Sequence, residues 1–195
     1  NIERPTNRVS IDQDTTGLYL IDTIAVTPAT IVIAGWRTER AEYSGEDVVD
    51  PGAPACFFCS AASPVQETQN QRAWELGLRH EFTREWAGFT RAGRAFRFVN
   101  AEEIYESDVF FAPQFQILRP QTAETLELGA EWRARGARIR GTLFRTDVED
   151  EIHLDPFTAG VGNTNLPPSR RRGLELDGEV RLGAALQLYG GYAYT

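Results

Sequence analysis

The run Thr122 to Arg133, TAETLELGAEWR, constrains this chain more than any other stretch. From Thr125 onward, Leu126, Leu128, Ala130 and Trp132 fall on one side of a period of two, and Thr125, Glu127, Gly129, Glu131 and Arg133 on the other. A helix would scatter these residues around its axis, whereas a strand sorts them onto opposite faces. One face asks for an apolar environment and the other for water. Whether the apolar face meets a protein core or lipid depends on the rest of the chain.

A second clear alternation runs from Gly173 to Leu182, with Leu174, Leu176, Gly178, Val180 and Leu182 against Gly173, Glu175, Asp177, Glu179 and Arg181. Ala73 to His80 repeats the pattern, and its Glu75-Leu76-Gly77 matches Glu127-Leu128-Gly129 in residue type and face. Further strands are expected at Gly17 to Ile24, Thr30 to Arg37, Ala87 to Arg94, Ile139 to Asp147 and Leu186 to Tyr194. Residues 1–15 are polar and carry one Pro, which predicts a lead-in loop. In the strand from Ile139 the apolar set moves from Ile139, Gly141 and Leu143 to Phe144, Val148 and Ile152. That change predicts a β-bulge near Phe144.

Three long excursions, 40–71, 95–121 and 149–169, separate strand pairs whose internal links are short. Read in order, the connections run short, long, short, long, short, long, short, with no helix between strands. The fold expected is all-β: an antiparallel up-and-down meander with its long loops at one end, forming part of a transmembrane β-barrel. Outer-membrane barrels have this asymmetry, and Greek-key sandwiches do not readily produce it. Glu75, Glu127, Glu131, Glu175, Asp177 and Glu179 need water opposite the apolar face. Trp36, Trp74, Trp86 and Trp132 lie toward strand ends, as an interfacial girdle would place them.

An apolar content of 42% does not contradict this, because barrel strands hide from hydropathy averages. No apolar run is long enough for a spanning helix. A formal charge of −8 argues against nucleic acid as a partner, and every one of the 20 basic residues is Arg. No nucleophile elbow, phosphate loop or triad signature occurs, so neither an enzyme nor a bound cofactor is expected. The CxxC pair Cys56 and Cys59 fits a redox pair, half a zinc site or a loop disulfide, and a disulfide suits an oxidising surface setting best. Asp147, Glu149, Asp150, Glu151, His153 and Asp155 carry hard-cation ligands without EF-hand spacing, and are read as a solvated loop base with no metal. Arg170-Arg171-Arg172 could grip an anion or face acidic neighbours.

Several motifs in order resemble the C-terminal barrel of TonB-dependent outer-membrane receptors. They are Leu118-Arg119-Pro120-Gln121-Thr122 ahead of Leu126-Glu127-Leu128-Gly129 and Trp132, then Phe144 with Asp147, Val148, Asp150 and Ile152, then Asn165 with Arg172-Gly173-Leu174-Glu175. Phe96-Arg97 sits where the family often has a Phe-Arg before a loop. The resemblance is good from Arg91 to Tyr194 and weaker from Thr16 to Arg79. Gln121 departs from a usual Glu, and Val99-Asn100 from a common Ala-Pro.

The resemblance implies a barrel of about twenty-two strands, an N-terminal plug and a segment that contacts TonB. Residues 1–195 are then expected to be a partial barrel domain of about eight strands, an excerpt of a longer receptor. The function implied is TonB-energised uptake of a scarce nutrient, a ferric siderophore or other metal chelate, in the bacterial outer membrane. Partners implied are outer-membrane lipid and lipopolysaccharide, the chelate, and the TonB complex through upstream segments. With His80 and His153 as the only histidines, haem is a weaker ligand candidate. Aromatic and Arg density in the excursions marks Arg97, Tyr105, Phe110, Phe111, Arg119 and Arg170 as candidate ligand contacts. The alternative is a non-energised β domain displaying loops for adhesion or partner binding.

Overall fold

The computed structural model describes residues 6–53, 60–108, 110, 112–155, 162–183 and 185–195. Its strands in chain order are β1 (Asn7–Thr27), β2 (Thr30–Val49), β3 (Val65–Glu81), β4 (Trp86–Arg97), β5 (Tyr105–Ser107), β6 (Pro113–Phe115), β7 (Gln121–Ala134), β8 (Ala137–Glu149), β9 (Ile152–Asp155), β10 (Gly162–Asn165), β11 (Ser169–Leu182) and β12 (Leu186–Tyr194). Eight of them form one antiparallel sheet in the order β1-β2-β3-β4-β7-β8-β11-β12, with β1 and β12 at its open edges. The hairpins β5–β6 and β9–β10, and a 3-10 turn at Ala101–Glu103, lie within the long connections.

The short links share one end of the sheet, and each has its own local chemistry. Arg135 and Gly136 both take positive φ, 41° and 84°, the backbone of a two-residue hairpin whose twist matches the flanking strands. The Thr83 hydroxyl accepts the N–H groups of Glu85 (3.2 Å) and Trp86 (3.0 Å) and closes the β3–β4 link. At Pro28-Ala29, the Thr27 hydroxyl donates to that of Thr30 across the turn at 2.9 Å.

The strands run further than hydropathy indicates. The lead-in expected at residues 1–15 is strand from Asn7, paired with β2 up to Asn7↔Val49. Of the excursion expected at 40–71, only residues 50–64 lie between strands. Polar strand beyond the apolar band carries no apolar stripe to betray it, and pairing with a neighbour holds it extended.

The bulge expected near Phe144 is absent. Register runs without a shift from Thr122↔Glu149 to Ala134↔Ala137 on one side of β8, and from Ser169↔Val148 to Val180↔Ala137 on the other. What changes along β8 is the environment: Ile139 and Leu143 are exposed on the outer face, while Val148 is buried on the inner one.

Burial is inverted relative to a water-soluble protein. Leu126 and Leu128 are 56% and 61% exposed, whereas Glu131 on the opposite face is 4% exposed. Leu18, Leu20, Leu76, Leu78, Leu143, Leu176 and Leu182 continue the exposed apolar band across the sheet. Trp36 pairs with Trp74 at its upper border and Trp86 with Trp132 at its lower one. From Trp74 down to Glu81 the strand runs about 24 Å at ~3.4 Å per residue, and a barrel tilt of about 40° turns this into roughly 18 Å of height, most of the apolar band of an outer-membrane barrel.

Candidate functional site

Opposite the lipid-type face, the inner face of the sheet carries charge. Glu131 receives hydrogen bonds from Arg79 (3.2 Å) and Arg138 (2.8 Å) and an ion pair from Arg133 (2.6 Å), close to the short-turn end. Three guanidiniums around one carboxylate satisfy a charge that would otherwise be costly to bury. Higher up, Arg91 bridges Glu75 (3.2 Å) and Glu127 (3.5 Å), its neighbours on adjacent strands. The Arg140 guanidinium stacks 4.1 Å from the Phe89 ring centroid. Phe89 lies over its cross-strand partner Gly129, where a Cβ would come within 2.2 Å of the ring and 2.5 Å of the Gly141 carbonyl. That close approach explains the glycine of Glu127-Leu128-Gly129, whereas at Gly77 of the matching element a Cβ would meet only ordinary contacts, at 3.7 Å or more.

Above Arg91, small residues on neighbouring strands leave a recess of about 540 Å³. Gly35, Ala73, Gly93, Ala95 and Ala123 floor it, and Tyr19, Ile21, Arg37, Glu75 and Arg91 wall it. Arg37 pairs with Glu39 and lies 5.7 Å from the ring centroid of Phe96 near the top of β4, and Phe96 packs against the buried cluster of the loops, so the upper rim of the recess borders the loop unit.

Those loops form a packed unit. Phe98, Val99, Ile104, Leu118 and Ile152 are buried against Ala41 and Tyr43, which point inward from β2 beyond the membrane band. The Tyr43 hydroxyl donates to the Val99 carbonyl at 2.9 Å. Burial, with Glu67 and Glu103 nearby, pushes this phenol up to about 12. Asp47 ties three segments together, accepting from Tyr105 Oη (3.0 Å), Asn7 Nδ2 (2.9 Å) and the Ala62 N–H (2.8 Å). Burial and the bond to Asp47 also push the Tyr105 hydroxyl up to about 12. Arg97 grips Glu103 at 2.9 Å, and Glu103 in turn accepts the Asn100 N–H at 2.8 Å.

Asn165 staples two connections to each other. Its Oδ1 accepts the Arg119 N–H (3.0 Å), and its Nδ2 donates to the carbonyls of Arg119 (2.9 Å) and Asp150 (2.8 Å). Gln121 adds a bond from the Ile152 N–H at 3.2 Å. The motif residues Arg119, Gln121 and Asn165 are therefore a structural clasp at the loop bases.

The structure distributes the candidate contacts over different roles. Arg97 and Tyr105 are engaged inside the loop unit, by Glu103 and Asp47. Phe110 is 82% exposed at a loop tip. Arg119 is largely exposed and pairs with Asp150 at 2.8 Å. Arg170 lies on the outer face, paired with Asp147 at 2.5 Å. Phe111, Cys56 and Cys59 lie outside the described residues.

The acidic stretch after β8 does not converge on one point: Asp147 meets Arg145 and Arg170, Asp150 meets Arg119, and Glu151 meets Arg171. Among the described residues, no group of three or more His, Cys, Asp or Glu is placed to hold a metal ion. His80 bonds the Thr30 hydroxyl at 2.8 Å, and His153 is exposed on β9. Asp47, Tyr43, Gln69 and Asn163 were not singled out by sequence. In the structure Asp47 and Tyr43 belong to a buried alternation, Glu39, Ala41, Tyr43, Gly45 and Asp47, in the mouth half of β2, but its mixed polar and small residue types form no apolar stripe that the sequence would show.

No described helix is long and apolar enough to cross a membrane, which says nothing against crossing by strands. The β-barrel model of TonB dependent receptor-like proteins matches residues 1–195. A probable TonB-dependent receptor of Bordetella pertussis, BfrD, is 26% identical over 98% of this chain and 25% of its own length. The ferric-catecholate import receptor Fiu of Escherichia coli K12 superposes with a TM-score of 0.67 at 20% identity, over 95% of this chain and 28% of that one. The copper transporter OprC gives 0.72 at 16% identity, over 94% and 28%. The chain thus spans about a quarter of the length of the relatives it matches. With the family model matched from end to end, the chain belongs to the TonB-dependent receptor β-barrel family.

Proposed function

We propose that this chain is a loop-bearing wall of an outer-membrane receptor that takes up a ferric siderophore or similar metal chelate, energised by TonB. One observation carries the reading: a recess on the charged inner face lies next below a packed loop unit, with Phe96 between Arg37 at its rim and the buried cluster of the loops. A bulky ligand held at the mouth would find small residues and an Arg–Glu pair beneath it along the inner wall. The relatives point to metals, with a ferric-catecholate importer and a copper transporter among them.

In this reading Phe110 and Arg119 contact the ligand, with Phe111 next to Phe110 in sequence. Arg97 and Tyr105 fix the loop shape, and Arg170 acts at the outer rim. The lipid and lipopolysaccharide of the outer membrane surround the apolar band, and contact with TonB is made by parts of the receptor outside these residues.

The test uses the full receptor and a ferric catecholate as probe. Alanine at Phe110 and Arg119 should weaken binding by roughly tenfold or more, the scale of about 1.4 kcal/mol for an aromatic or charge-assisted contact. Alanine at Arg97 and Tyr105 should weaken it while also loosening the loops to protease. Unchanged binding across all of these variants would sink the site, and no ferric-chelate binding by the full receptor would sink the substrate class.

A further inference from the structure

The outer face changes character abruptly above the apolar band. From β2 to β11 the first outward positions past the last apolar ones are Thr38, Arg72, Arg94, Glu124, Arg145 and Arg172, of which Arg94 is engaged by the Arg72 carbonyl (2.5 Å) and Gln71 (3.2 Å). A basic row in a chain of net charge −8 is local design, because bulk composition opposes it. At the short-turn rim the corresponding outer positions are Trp86 and Trp132.

Within that row one pair stands apart. Arg145 and Arg172 are direct cross-strand partners on the outer face, immediately above the partners Leu143 and Leu174. Like charges placed opposite each other across a ladder, with Cβ atoms about 5 Å apart, repel. Two carboxylates lie at hand: Asp147, which is shared between Arg145 (2.8 Å) and Arg170 (2.5 Å), and Glu124, the cross-strand partner of Asp147 on the same face. Arg172 is exposed and has no ion-pair partner among the described residues. At the upper border of the apolar band three guanidiniums thus share a face with two carboxylates, and Arg172 is the guanidinium without an ion pair among the described residues.

Resting on the outer-membrane reading above, we propose that Arg145 and Arg172, with Arg170 held beside them by Asp147, form a binding site for a phosphate of an outer-leaflet lipid. A phosphate bridging the two guanidiniums would relieve their repulsion and fill their forked donors bidentately. Leu143 and Leu174 directly below would meet the acyl chains of the same molecule. Arg171, between them in sequence, points to the other face and pairs with Glu151 at 2.8 Å, so the three consecutive arginines serve two different surfaces.

The experiment takes the full receptor in detergent and measures lipid retained through gel filtration. The probes are bis-phosphorylated lipid A, its dephosphorylated form, and inorganic phosphate as competitor. The phosphorylated lipid should be retained roughly tenfold better than the dephosphorylated one, and R145Q/R172Q should remove most of that difference, as expected for lost charge-assisted contacts. R171Q, on the inner face, should keep it. Equal retention of the two lipids by the unmodified receptor overturns the proposal, whether or not the double variant folds. Displacement of the lipid by equimolar inorganic phosphate overturns the lipid assignment in favour of a free-anion site. Failure of the receptor to float with any vesicle would instead reject the outer-membrane reading itself.

Discussion

The lower and upper halves of β2 obey opposite burial rules on one uninterrupted strand. In the lower half, Val32, Ala34 and Trp36 put apolar groups on the outer face, where Trp36 is 43% exposed, and Ile31 and Ile33 on the inner face are also exposed rather than packed. In the upper half, Ala41 and Tyr43 put theirs on the inner face and are buried under the loop unit, while Arg40 and Glu42 point out. β8 repeats the exchange between Leu143 and Val148. Parity is conserved throughout, and only the surroundings differ: an exposed apolar outer face below, and loops packed on the inner face above. A shift in apolar phase along a barrel strand therefore marks the level at which the strand leaves the membrane, and needs no bulge.

The largest expected effect tests the upper half. Tyr43→Ala removes a fully packed aromatic and the hydroxyl that satisfies the Val99 carbonyl. By analogy with other large aromatic truncations it should cost the loop unit about 3–5 kcal/mol. If the halves are independent, the loss is local. Limited proteolysis should cut the connections around 98–120 much faster, while the folded, heat-modifiable form of the receptor persists on a gel. Loss of that form together with the loops would show that the mouth and the membrane sheet unfold as one unit.

Next comes the lower half. Leu128→Arg sets a charge on the exposed apolar face near mid-band and should cost about 2–4 kcal/mol in urea unfolding from lipid. Thr68→Arg, on the same outer face but in the upper half and beside Glu42, should change stability by less than ~0.5 kcal/mol. Similar costs at the two sites would mean that the outer face meets one medium along its whole height, which would break the comparison.

These halves were unequally legible. In the membrane band the alternations at Leu126 to Trp132 and Leu174 to Leu182 name the strands, the faces and the direction of the loops, because a period-two apolar stripe has few other homes. Above it the stripe is lost: Glu39, Gly45, Asp47 and Gln69 are buried polar or small groups whose partners come from connections far along the chain. Tyr105 meeting Asp47, or Asn165 meeting Arg119, depends on how the loops fold back, and local periodicity carries none of that. The motif around Arg119, Gln121 and Asn165 was visible as a resemblance, and the hydrogen bonds give its reason. The ligand contacts were the least legible, since an Arg bound to a carboxylate and an Arg waiting for a ligand look alike in sequence.

The smallest effect separates two carboxylates within the loop unit by pH. Burial acts against Glu103, but bonds from Arg97 and the Asn100 N–H outweigh it and hold its carboxyl below the usual range. A depressed folded-state pKa contributes stability that is present at neutral pH and is lost as pH falls through that lowered value. Glu106 is the reverse case: burial raises its carboxyl, despite bonds from the Asn163 N–H (2.9 Å) and Gln114 (3.2 Å). Its contribution is full in acid and fades as pH rises through the raised value, so at neutral pH the charged form weakens the unit. Glu103→Gln should therefore loosen the loops at pH 7 by about 0.5–1 kcal/mol, with the difference from wild type vanishing below the ordinary Glu range. Glu106→Gln, which keeps an acceptor for Asn163, should leave the loops unchanged or slightly tighter at pH 7 and lose that advantage in acid. Amide hydrogen exchange of the Ile104 and Gln116 N–H groups, read across pH with the intrinsic rate divided out, distinguishes the two variants. Parallel profiles for both would mean that Arg97 does not single out Glu103, and that the loop unit is held by its apolar core alone.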